Sequence, residues 1–560
     1  MTDKDGDKRT QDILGVVVGQ SASSKNLTYT ALSDSIAQKD KTSTLLGASK
    51  ALWHIWKHPT PPSGREDDYD ICRAYLSRVA SIAAGRCTTI EGGRASEPEL
   101  INFAREFLGV TESITDPAFF THTEIPRFTK ALQNHEDFKN HIPPPDVVRG
   151  HAARLSFIRT LRSQWDFRSV DTKGIFRTWS IAKLLDNKYN GQLFERLRRV
   201  LNIELRDHLR AGMVFLAAGD NTVPGTILEK SLTLDSELAK NLNLDTDALM
   251  LVATKISRNC QDFSTWQSEV ISDYPEPYRK YVPHPLVALP LIQLDSSFTG
   301  WDKSKSGFLC PSPAHLLWRI QSSCIDAISN LAPESGQNVR ADLGECLSSY
   351  IHSFLSATCG KDNVTSLDEL YKANDDKRKH ADFIVMTGDT AIIIESKTSL
   401  GSTSAKSVIT PEDLVEVWSR IHSAYRQCAH TINSDIWTKT PRLSRAKKFI
   451  SVTCFDELFC PDGAAFNDFA VRSGIDKALG LGATEAISLQ DLEALMEGLG
   501  PAQLAQLIQK KWDSGQHGIM LNTFIASEEP RMSPPSLAHL QPASEELFPG
   551  FNMLKLVTHD

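Results

Sequence analysis

Within the stretch Lys379-His-Ala-Asp-Phe-Ile-Val-Met-Thr-Gly-Asp-Thr-Ala-Ile-Ile-Ile-Glu-Ser-Lys397, three side chains have the types and spacing to do chemistry together: Asp382, Glu395 and Lys397. Gly388-Asp389 suits a two-residue hairpin loop between two apolar runs. With those two residues as the loop, Thr387 pairs with Thr390, Met386 with Ala391, and Asp382 falls opposite Glu395. Opposed residues share a sheet face with Cβ atoms about 4.5–5.5 Å apart, where like charges destabilise the pairing. A hairpin otherwise made of Ile, Val, Phe and Met has no folding reason to carry that pair. A divalent cation between the carboxylates would supply the reason. Lys397 lies two residues beyond Glu395 and so on the same face. Oxygen ligands for Mg²⁺ beside an ammonium group suit the hydrolysis of a phosphate ester, in which the metal activates water and the cations meet growing negative charge.

Such a triplet is common by itself, and Asp375-Asp376-Lys377 is another one just upstream. What gives the later one weight is its setting. The pattern predicts a helix over 314–331, a second over 339–355 carrying Gly344-Glu345, then the hairpin, a helix over 411–432 and an apolar strand over 449–455, with room for a further strand near 367–372. On the 339–355 helix, Leu343, Leu347, Tyr350, Ile351 and Phe354 form an apolar stripe, leaving Glu345, Ser349 and His352 on a polar face that could line a cleft.

The order of elements, together with Glu345, His380-Ala381-Asp382 and Glu395-Ser396-Lys397, resembles the PD-(D/E)XK phosphodiesterase superfamily, the restriction-endonuclease-like nucleases. The resemblance covers roughly 314–460 and departs from the family name in lacking its proline. It implies an α+β to α/β chain: a large, mainly helical N-terminal region followed by a restriction-endonuclease-like αβββαβ core. It also implies a Mg²⁺ ion, with Mn²⁺ as substitute, held by Asp382, Glu395, the Ser396 backbone carbonyl and Glu345. Lys397 would position the attacking water, and Asp382, Glu395 and Lys397 would form the catalytic set. The expected activity is endonucleolytic hydrolysis of phosphodiesters in DNA. Large helical regions joined to such cores recur in bacterial antiviral effectors and mobile-element proteins. Two alternatives stand beside this: a ribonuclease, and a non-catalytic nucleic-acid-binding or scaffold subunit on a nuclease-derived fold.

Composition sets the frame. The 560 residues are 41% hydrophobic and 23% charged, enough for a large core and, by length, roughly three or four domains. The net charge of -8 carries no global basic signature, so nucleic acid would have to be met by local patches. The ten cysteines include no CxxC pair, which argues against a structural zinc site and for a reducing compartment. The polar N-terminus and the absence of a long apolar run lead to the expectation of a cytoplasmic protein with no membrane segment. The expected division is a flexible arm over 1–26, a helical region over 27–300 for recognition, partner binding or regulation, the core over 314–460, a short strand and helices over 461–527, and a Pro/Ser-containing tail over 528–560. A protein partner or homodimer would engage through the helical region, and cutting both strands of a duplex would favour a dimer.

Other candidates carry less. Arg442, Arg445, Lys447 and Lys448 form a basic run that could hold a phosphate backbone near the cleft, or be a solvated loop. Arg196, Arg198, Arg199, Arg206 and Arg210 form a stripe better explained as a surface face paired with Glu195, Glu204 and Asp207, and a second cluster from Arg149 to Arg168 is equally ambiguous. Tyr425 and Gln427 read as ordinary helix residues. His135-Glu136 lacks the second histidine of a zinc protease, and no phosphate-binding Gly-Lys loop or Gly-x-Ser-x-Gly elbow is present.

Overall fold

The computed structural model describes residues 27–87, 93–110, 117–163, 172–220, 225–228, 237–295, 298, 307–329, 331, 338–373, 379–399, 409–456, 460–528 and 538–551. The 1–26 arm, Arg168 and the Asp375-Asp376-Lys377 triplet lie outside these. Of the expected loose tail, 538–551 is described and ordered: it forms a short helix (Gln541–Leu547) and buries Leu540, Leu547 and Phe548. The chain is mainly helical with two small mixed sheets, an α+β architecture.

Two compact units form, one from 1–120, 216–234 and 253–316, the other from 121–215, 235–252 and 317–560. The helical region expected over 27–300 is thereby shared between the two units. Periodicity reveals that a helix has an apolar face, not what covers it. Phe128 sits 5.7 Å from Trp418, centroid to centroid, and Arg177 bonds Glu493, so helices of 121–215 are built into the unit that holds the hairpin.

In the first unit, helices α1 (Tyr29–Ala37), α2 (Lys41–Lys57), α3 (Glu66–Arg86) and α4 (Glu97–Gly109) follow one another. The Asp40 side chain accepts the Ser43 N–H at 2.7 Å to start α2, and the Pro-rich segment after His58 ends it. A capping box of Ser96 and Glu99 starts α4. Every residue of α3 from Ala74 to Ala84 is buried, as befits a helix surrounded by others. Strands β1 (Thr226–Leu228), β2 (Ser257–Arg258), β3 (Leu291–Gln293) and β4 (Gly307–Leu309) form a sheet in the order β1-β4-β3-β2. These strands are too short to show an alternating pattern, which is why the sequence reads as helix and connection there.

The second unit is organised on strands β5 (Val364–Ser366), β6 (Phe383–Thr387), β7 (Thr390–Lys397), β8 (Lys448–Phe455) and β9 (Ala483–Ser488), hydrogen-bonded in that order. Neighbours β5, β6 and β7 are antiparallel, while β8 and β9 run parallel to β7. The helices of the unit that matter here are α5 (Lys173–Lys188), α6 (Val339–Cys359), α7 (Leu367–Ala373), α8 (Pro411–Ile432), α9 (Pro461–Ser473) and α10 (Leu489–Asp513). A parallel neighbour requires a crossover, and α8 makes it between β7 and β8. Helix α9 comes so close to β9 that a Cβ on Gly463 would lie 2.2 Å from the Ala486 carbonyl oxygen. The segment expected as a strand near 367–372 is instead α7, with the strand β5 just before it. Leu367 and Tyr371 stand at i,i+4 and are both buried, a helical face rather than an alternating one.

Candidate active site

The hairpin forms in the expected register: Thr387 pairs with Thr390, Met386 with Ala391 and Phe383 with Ile394. Gly388, at φ +61°, supplies the left-handed backbone that the two-residue loop needs. Asp382 enters the sheet directly before β6, its N–H donating to the Ile394 carbonyl at 3.0 Å. Ile384, Met386, Ala391 and Ile393 share one buried cluster with Cys428 of α8. Side chains alternate along a strand, so Glu395 and Lys397 fall on that same α8 face, while Asp382 stands just outside the ladder, which ends at the Phe383–Ile394 pair. Phe383 belongs to the other face, where its ring stacks on His352 of α6 at 5.6 Å.

Local bonds hold each group. The Ser396 N–H and hydroxyl both donate to Asp382 Oδ2, at 2.7 and 2.5 Å. An extended residue turns its N–H and C=O toward the same side, so the Ser396 carbonyl shares the side of the strand on which Asp382 lies. Lys397 Nζ donates to Glu395 Oε1. Ala381 donates its N–H to Thr431 Oγ1 at 3.0 Å, a bond that a proline at that position could not make.

The electrostatics are those of an unfinished site. Glu395 is 1% exposed, and its Oε2 makes no hydrogen bond. Burial, then the neighbouring Asp382 charge, push its pKa well above the ordinary carboxylate value despite Lys397. Burial also raises Asp382, against the pull of its bonds from Ser396. The donor set fits Mg²⁺ or Mn²⁺. Such ions take oxygen ligands, are commonly held by one or two carboxylates, and keep several waters. Glu395 Oε2 has a free acceptor, and a cation beside it would lower both pKa values. Among the described residues no three His, Cys, Asp or Glu side chains converge as a complete ligand set.

The acids open onto a cleft of about 590 Å³. Its walls are Gly344, Glu345 and His352 of α6, Asp368, Glu369 and Lys372 of α7, the ends of β6 and β7, and Gln427 of α8. Glu345 is in the cleft wall, but as an exposed group tied to Lys188, whose Nζ lies 2.6 Å from Glu345 and 2.5 Å from Asp342. Tyr189 donates its hydroxyl to the other Asp342 oxygen at 2.6 Å. The bonds that Lys188 donates to Asp342 and Glu345 raise its pKa. Lys188 and Asp368 were not legible as site residues. Lys188 comes from a helix far away in sequence, and Asp368 sits in a segment that reads as a strand. Gln427, read as an ordinary helix residue, lines the cleft, whereas Tyr425 is buried and donates to Asn467 at 2.5 Å.

The basic run is not at the cleft. The N–H groups of Lys447 and Lys448 donate to the Asp389 carbonyl, and Lys448 pairs with Thr390 at the loop end of β7. Lys397 lies at the other end, roughly 20 Å away at about 3.3 Å per residue. Arg442, Arg445, Lys447 and Lys448 are exposed there. The arginine stripe takes its surface reading: Arg198 and Arg199 pair with Glu195, Arg198 also with Glu204, and Arg206 with Asp207. Asn202, at φ +54°, ends the first helix and divides the stripe between two. Arg210 is buried and donates to the Leu547 carbonyl at 2.6 Å. Of the second cluster, Arg159 is buried and paired with Glu124 at 3.0 Å. Compared with protein-family models, with curated proteins and with solved structures, the chain matches none.

Proposed function

We propose that this chain is a nuclease dependent on a divalent cation, hydrolysing phosphodiesters with Asp382, Glu395 and Lys397. One observation carries the reading: two neighbouring carboxylates, Asp382 and Glu395, line one open cleft with Lys397, and one of them is buried with a bare oxygen. The succession α6, β5, β6, β7, α8, β8 agrees with the αβββαβ order of the restriction-endonuclease-like nucleases, with α7 as an insert.

Asp382 and Glu395, with the Ser396 carbonyl, would hold Mg²⁺ or Mn²⁺, which when bound supplies an acidified water and a positive charge against the phosphate oxygens. Ser396 fixes the Asp382 carboxylate through two bonds to one oxygen. Lys397, now held on Glu395, would be released toward the phosphate once a cation takes up the Glu395 charge. Its three donors could then orient water and meet negative charge at the reacting phosphorus. Glu345, on the opposite wall, would reach the water shell of the cation only by exchanging its bond to Lys188.

DNA is the proposed substrate. The experiment is a cleavage panel of supercoiled, linear and single-stranded DNA and RNA with Mg²⁺ or Mn²⁺, with EDTA as control. Asp382→Ala and Lys397→Ala should each abolish cutting with the fold retained. Cleavage that survives both substitutions rules the assignment out. Salt-dependent binding without cleavage under any divalent ion would favour the scaffold reading, and cutting confined to RNA the ribonuclease one.

A further inference from the structure

Asp368 stands next to the acid pair through main-chain bonds. Ser366 of β5 lies opposite Phe383, and the Leu367 N–H donates to the Asp382 carbonyl at 2.9 Å. The residue after Leu367 is therefore set at the shoulder of Asp382, and its side chain lines the same cleft. Leu367 is fully buried and anchors that turn. We propose that Asp368 is the third acid of this site, drawing and holding a divalent cation across that cation's water shell. The inference rests on the cation-dependent reading above.

Three observations support it. Glu395, 1% exposed, lines the cleft and carries a buried oxygen without a hydrogen bond, a shortfall that a cation would meet. The rival third acid, Glu345, is bound to Lys188, which it shares with Asp342. Finally, Asp368 is oriented. The His380 ring stacks on Tyr371 of α7 at 4.0 Å and 16°. With Nδ1 2.7 Å from the Ala381 carbonyl oxygen, His380 points Nε2 at Asp368, 3.5 Å away. The His380-Ala381-Asp382 segment thus fixes one acid by its main chain and steers another by its imidazole.

The role is an outer one. No three acids among the described residues are close enough to ligate one ion together, and Mg²⁺ characteristically keeps waters that a further carboxylate can bind. At 63% side-chain exposure, Asp368 acts through solvent and its influence should be sensitive to salt. Its position in the first turn of α7 also suits the helix dipole, but that role would leave cation binding unmoved.

The test is Mn²⁺ binding by the full-length protein, with free Mn²⁺ read by electron paramagnetic resonance and no nucleic acid present. The wild type should bind saturably and Asp382→Asn should not. Asp368→Asn should weaken binding by about tenfold, the usual size of an outer-shell effect. Asp368→Lys should weaken it further, Asp368→Glu should stay near wild type, and the loss in Asp368→Asn should shrink at high salt. If Asp368→Asn and Asp368→Lys bind like wild type while Asp382→Asn does not, the inference falls and the cation-dependent reading stands. If the wild type binds no Mn²⁺ saturably, the reading itself falls.

Discussion

Around Glu493 of α10, both carboxylate oxygens are engaged. Arg177 donates to Oε1 at 3.0 Å and to Oε2 at 2.5 Å, and the Tyr350 hydroxyl donates to Oε1 at 2.7 Å. His539 lies beside them, with Nδ1 3.0 Å from Glu497. Around Glu395, in the same unit and just as buried, Lys397 holds one oxygen and nothing holds the other. Burial pushes both acids up, yet Arg177 and His539 bring Glu493 down to about 2 while Glu395 stays well above the ordinary range. A buried charge is tolerated when its partners are complete. The first cluster is complete. The second is incomplete and lines a cleft, and under the proposed reading a cation makes up its shortfall. The same helix, α6, serves both: its buried Tyr350 reaches Glu493, and its polar face walls the cleft.

Neutralising each acid should therefore have opposite consequences. Glu395→Gln should lower the cleavage rate by about 10³-fold or more, since it removes a cation ligand, while leaving thermal stability equal or higher. Glu493→Gln should cost about 3–5 kcal/mol of stability, because Arg177 would remain buried without its counter-charge. Denaturant melts and single-turnover rates on both variants decide it. A Glu395→Gln protein that loses stability as Glu493→Gln does would mean the hairpin pair is structural.

The dependence on pH sharpens the contrast. Asp382 and Glu395 have folded-state pKa values raised above their unfolded ones. Their contribution to stability is thus full below the unfolded values near 4 and is lost as pH rises through the folded ones. The metal-free protein should melt progressively earlier from mildly acid to neutral pH. Saturating Mg²⁺ should remove that loss, because the cation favours the ionised pair, and its binding should release protons. His539 acts in the same direction at higher pH. Burial alone would lower its pKa, but hydrogen bonds to Glu493 and Glu497 outweigh burial and raise it. Its contribution is present below the unfolded histidine value and is lost as pH rises through the folded one, and Mg²⁺ should not restore it. Melting curves against pH, with and without Mg²⁺, separate the two. A Mg²⁺ effect of equal size at every pH would remove the link to the acid pair.

The hairpin could be read from sequence because a two-residue turn fixes register locally: Gly388-Asp389 alone aligns the strands from Thr387–Thr390 to Phe383–Ile394. The helix over 411–432 was legible because Thr410 and Asp413 cap it reciprocally and its apolar positions recur at helical spacing. The remainder of the site depends on contacts between distant segments. Lys188 meets Glu345 only through tertiary packing of α5 on α6. Asp368 depends on whether a stretch with Leu367 and Tyr371 winds or extends, and short apolar runs do not decide that. The division into two units was hidden for the same reason, since Phe128 and Arg177 give no local sign that Trp418 and Glu493 await them.

The smallest expected effect concerns the basic run. Clustered cations just before β8 suggest a phosphate grip at the cleft only if both ends of that strand are close to it. The parallel pairing of β7 and β8 decides otherwise, for Lys448 lies at the loop end with Thr390 and Phe455 at the site end with Lys397. At roughly 20 Å, two Debye lengths or more at physiological salt, these charges act weakly on the acids. Arg445→Ala with Lys447→Ala should leave the turnover rate on a short duplex within about twofold. On long DNA that passes over the loop end, the same pair should flatten the dependence of binding on salt by the equivalent of about two phosphate contacts. A tenfold loss of turnover on the short duplex would show that the run does reach the reacting phosphate, and would overturn the separation of the two ends of the sheet.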